Sequence, residues 1–108
     1  MTEDQVVASL TKIIDLSSSM LGSARDGEWE RAQELEQQRQ QLFAQTFPLD
    51  SEQITDAAAL AAQIQKVIEL DNQTMQLAAK GRKEFVGLIN KLTTGRQAVA
   101  AYQKSRDR

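Results

Sequence analysis

The chain has 108 residues, one proline, no cysteine and no histidine, with 41% hydrophobic and 5% aromatic residues. That composition excludes disulfides and thiolate or imidazole metal sites, and is too poor in β-branched and aromatic residues for a sheet protein. The net charge of −2 hides a split: residues 1–79 hold 5 basic and 13 acidic side chains, residues 80–108 hold 8 basic and 2 acidic ones.

The N-terminal stretch MTEDQVVASL is acidic and lacks the positive start of a secretory leader. No apolar run approaches the ~20 residues of a membrane span. The expectation is a cytoplasmic chain without membrane insertion. A first helix is predicted over about 3–24, opened by a capping box in Thr2-Glu3-Asp4-Gln5. Its apolar stripe is Val6/Val7, Leu10, Ile13/Ile14, Ser17, Met20/Leu21 and Ala24. Ser17-Ser18-Ser19 has no histidine or evident base beside it, so it reads as a soft helical patch and not as a nucleophile.

Arg25-Asp26-Gly27 is predicted as a turn, with Gly27 able to take the left-handed conformation. A second helix follows over about 28–45 with the stripe Trp29, Ala32, Leu35, Arg39 and Leu42/Phe43. Trp29, in its first turn, is expected to lie across the hairpin end and hold it shut. Glu30, Glu34 and Glu36 could suggest a carboxylate metal site, but helical sites of that kind add histidine, so they read as a solvated face.

Phe47-Pro48-Leu49-Asp50 ends the second helix, and Asp50 with Gln53 looks like another capping pair. The third helix is predicted over about 52–94, stopping at Thr93-Thr94-Gly95. Its stripe is Ile54, Ala57/Ala58, Ala61, Ile64, Val67/Ile68, Asp71, Thr74/Met75, Ala78, Arg82, Phe85, Leu88/Ile89 and Leu92. Arg39 and Asp71 are charges on apolar stripes: they either meet across helices two and three and fix the register, or tilt outward to solvent. A short basic helical segment, 95–108, closes the chain. The fold class expected is all-α: one domain, an antiparallel three-helix bundle with a long third helix.

At ~1.5 Å rise per residue, the first two helices are roughly 30 Å long and the third roughly 60 Å. The hairpin therefore covers about half of the third helix, and Phe85, Leu88, Ile89 and Leu92 need another cover. The candidates are the segment around Val99 and Tyr102 folding back, a second copy, or a client helix. Nothing converges for catalysis, and no cofactor is implied. The basic C-terminal third lacks both a recognition-helix pattern and interleaved stacking aromatics, so nucleic acid is not the expected partner.

Gly27-x-Trp29 opening a helix with Leu35, Arg39 and Leu42 is followed by a long helix with Ile64, Ile68, Leu70-Asp71 and Leu77. Gly95 and Ala101-Tyr102 come after it. This pattern resembles the FliT-type flagellar export chaperones across most of the chain. The resemblance implies a small cytoplasmic helical chaperone, not an enzyme. It would bind the filament-cap protein, prevent premature assembly, and deliver it to the type III export gate and the export ATPase complex. It also implies gate docking through the tyrosine matched by Tyr102. In some members a C-terminal helix masks the client groove, and some bind the flagellar master transcription regulator. On this reading Phe85, Leu88, Ile89 and Leu92 contact the client. The alternative is a self-associating helical structural or adaptor protein, with the same stripe buried in a homodimer.

Overall fold

A computed structural model describes the backbone of residues 1–106 and the side chains of residues 1–91. It contains α1 (Glu3–Arg25), α2 (Trp29–Thr46), a single 3-10 turn (Ser51–Gln53) and α3 (Ala57–Arg106). The chain divides into two compact units within α3, Met1–Leu77 and Ala78–Arg108.

Helix α1 starts on the expected capping box. The Gln5 N–H donates to Thr2 Oγ1 at 3.2 Å, and the Thr2 N–H donates to Gln5 Oε1 at 2.9 Å. Two donors left over at the helix start are thereby satisfied. The helix ends on Gly27, which has φ 75°. Its N–H donates to the Ala24 carbonyl at 3.1 Å, and the Glu28 N–H reaches back to the Ser23 carbonyl at 2.8 Å. This is a Schellman closure, and it needs the left-handed residue that glycine supplies without strain. Helix α2 then begins at Trp29 and packs against α1.

The start of α3 differs from the expectation. Asp50 caps the 3-10 turn, accepting from the Glu52 N–H at 3.1 Å. The long helix begins five residues later than predicted, because Asp56 accepts from the Ala59 N–H at 3.0 Å and so supplies the N-cap. The residue before it is tied elsewhere: both the backbone N–H and the hydroxyl of Thr55 donate to the Glu3 carboxylate. The predicted stop at Thr93-Thr94-Gly95 is also absent, and α3 runs on to Arg106. One glycine costs a helix ~1 kcal/mol, too little to end a long one.

Within the first unit α3 runs in the same direction as α1. The ties Glu3–Thr55, Thr11–Gln63 and Arg25–Gln73 occur in the same order along both helices. Val6, Leu10 and Ile13 of α1 form the core with Leu60 and Val67 of α3, and Ile14, Leu42, Phe43, Phe47, Leu49, Ile54 and Ile64 pack around it. Each fully buried aliphatic side chain contributes ~1.5–3 kcal/mol of transfer free energy.

The buried stripe of α1 is close to the predicted one, except that Val7 is exposed. The face of α3 is rotated from the prediction. Leu60, Val67 and Leu70 are buried, whereas Ala57, Ala58, Ala61, Ile68 and Met75 are exposed. Alanines carry little transfer free energy, so Leu60 and Leu70 decide which side turns inward.

The Thr55 backbone N–H, and after it the Thr55 hydroxyl, hold the Glu3 carboxyl below the ordinary glutamate value of 4.5. A lowered folded value means that the ionised group stabilises the fold above the ordinary glutamate value. That contribution is lost as pH falls through the lowered one. Glu3→Gln is expected to flatten the acid limb of stability, read as urea midpoints measured from neutral to acid pH.

Candidate interaction face on the third helix and the Arg39 cluster

The second unit presents a row of large apolar side chains to solvent. Phe85 is 63% exposed, Val86 54%, Leu88 54% and Ile89 44%. They fall within two turns of α3 and on one side of it, since positions three and four apart share a face. Lys80, Lys83 and Lys91 lie around the other side, and Glu84, four residues before Leu88, borders the row. The side chains of Leu92 and Tyr102 lie outside the described residues. Val86 was not anticipated as part of this face; its adjacency to Phe85 is the signal that widens it.

The first unit holds a polar cluster instead. Arg39 of α2 is buried to 7% relative exposure in the middle of an apolar stripe. Its Nη1 donates to Ser17 Oγ of α1 at 3.0 Å and to Asp71 Oδ1 of α3. Its Nη2 donates to Glu36 Oε2 at 2.5 Å. The guanidinium also lies over the Phe43 ring, 5.4 Å from the centroid. The Ser17 hydroxyl donates in turn to the Ile13 carbonyl at 2.7 Å. One guanidinium thus engages all three helices, and its planar fork of donors is what makes this possible. Among the described residues, only Arg39 Nε is a buried side-chain polar atom without a hydrogen-bond partner.

Two members of that cluster were not legible as such. Glu36 was read with Glu30 and Glu34 as a solvated face; Glu30 and Glu34 are exposed, but Glu36 turns inward to Arg39. Ser17 was placed on the stripe without a partner, and it is fully buried. Trp29 is 41% exposed, on the open cleft lined by Gly27, Glu28, Glu30, Arg31 and Glu34. Among the described residues no three acidic, histidine or cysteine side chains converge as metal ligands, and no helix is long and apolar enough to cross a membrane.

The first unit thus holds a buried polar cluster, and the second an exposed apolar row. The profile of the family described as Flagellar protein FliT matches residues 7–104. The chain belongs to the FliT family. FliT proteins form a family of flagellar export chaperones and not of enzymes, so in that general sense this chain is a flagellar export chaperone. No curated protein and no solved structure matches it.

Proposed function

We propose that this FliT-family chain is a cytoplasmic chaperone for the filament-cap protein. It binds the cap protein before export, blocks its premature assembly, and hands it to the export gate and the export ATPase complex. The observation that carries this reading is the exposure of Phe85, Leu88 and Ile89 on one side of α3 in a family of export chaperones. Leu92 extends the client contact, and Tyr102 docks at the gate. Trp29 steadies the α1–α2 turn, and Arg39 with Asp71 fixes the register of α2 and α3.

Burying Phe85, Leu88 and Ile89 contributes ~1.5–3 kcal/mol per side chain, offset by the cost of ordering the client. The balance suits a complex that forms and releases. Calorimetric titration with the C-terminal segment of the filament-cap protein from the same organism tests the reading. Micromolar or tighter binding is expected, and Leu88→Asp is expected to abolish it. Absence of binding, together with a dimeric mass that Leu88→Asp converts to a monomer, would instead support the self-associating adaptor.

A further inference from the structure

The apolar face of the second unit carries a charge at its N-terminal end. Arg82 precedes Phe85 by three residues, Val86 by four and Ile89 by seven, so it shares their side of α3, and it is exposed. Among the described residues no carboxylate pairs with it. The three lysines of this stretch lie on the other side and do not explain why a guanidinium flanks the apolar row on its own side.

The first unit shows how this chain deals with the same situation. Arg39 also interrupts an apolar stripe, and Asp71 from the facing helix meets it. A guanidinium that becomes buried among apolar side chains must be paired and hydrogen-bonded, or its desolvation opposes docking.

We propose that the occupant of this face is an acidic amphipathic helix. Its apolar ridge packs on Phe85, Val86, Leu88 and Ile89, and an Asp or Glu at the end of that ridge receives Arg82. The inference rests on the client reading and adds the chemistry of the client segment. A second copy of the chain fits less well. Between residues 78 and 91 Glu84 is the sole acidic residue, at the opposite edge of the row from Arg82, against Lys80, Arg82, Lys83 and Lys91, so two copies laid face to face would bring like charge against like charge.

The test is calorimetric titration of the full chain with the C-terminal segment of the filament-cap protein, at low and at high salt. Wild type, Arg82→Glu and Leu88→Asp are compared. Both positions are exposed, so circular dichroism and urea midpoints should match wild type. Wild-type affinity is expected to fall with salt. Arg82→Glu is expected to bind about tenfold weaker or worse at low salt and to approach wild type at high salt, as an interfacial charge contact does. If Leu88→Asp abolishes binding while Arg82→Glu binds like wild type at both salts, the acidic-partner inference is overturned and the client reading stands. If wild type does not bind the segment, both fall.

Discussion

Asp71→Leu is expected to lower the unfolding free energy by about 2–4 kcal/mol, more than Arg39→Leu does. The asymmetry follows from exposure. The Arg39 side chain is 9% exposed, whereas those of Asp71 and Glu36 are 33% and 31% exposed. Removing Asp71 leaves a buried guanidinium with Glu36 as its one remaining carboxylate. Removing Arg39 leaves two carboxylates that water can reach. The double variant should recover part of the loss, because two apolar residues no longer strand a charge. Urea unfolding of the four proteins gives the coupling, expected at roughly 1–3 kcal/mol. Additive losses would mean that the two groups act independently and that the helix register is set elsewhere.

Ile13→Ala should cost about 3–4 kcal/mol, a large share of the ~5–15 kcal/mol that holds a domain folded. Ile13 is wholly buried and lies in the core between α1 and α3. Leu88→Ala, which removes a side chain of similar size from α3, is expected to change stability by no more than ~0.5 kcal/mol, because Leu88 is 54% exposed in the free chain. Its effect should show in client affinity instead. Urea melts beside client titrations measure both, and a destabilisation of Leu88→Ala comparable to that of Ile13→Ala would show that the face is already covered in the free protein.

Much of the fold was legible because it is local. The Thr2–Gln5 box, the glycine closure at Gly27 and the break at Pro48 each depend on a few consecutive residues. The apolar stripe of α1 was legible because its inward residues recur every three to four positions with polar ones between. The start of α3 was not, since Asp50 and Asp56 are both good caps. The structure places the start at the Asp56 cap, next to Thr55, which is tied to Glu3 from far along the sequence. The apolar row Phe85, Leu88 and Ile89 was legible as part of a stripe, but its exposure, and that of Val86 and Arg82 beside it, was not.

The sequence by itself determined that this chain is three helices joined by two turns, that charges interrupt two apolar stripes, and that the last third is basic. Periodicity, capping and charge are properties of neighbouring residues, so they can be read along the chain. The tertiary structure decided the rotation of α3 that buries Leu60 and Leu70 while leaving Ile68 and Met75 outside. It also decided the recruitment of Ser17 and Glu36 to Arg39, and the exposure of Trp29. Those choices depend on the summed packing of three helices, in which a turn of one residue's width moves every side chain on a face.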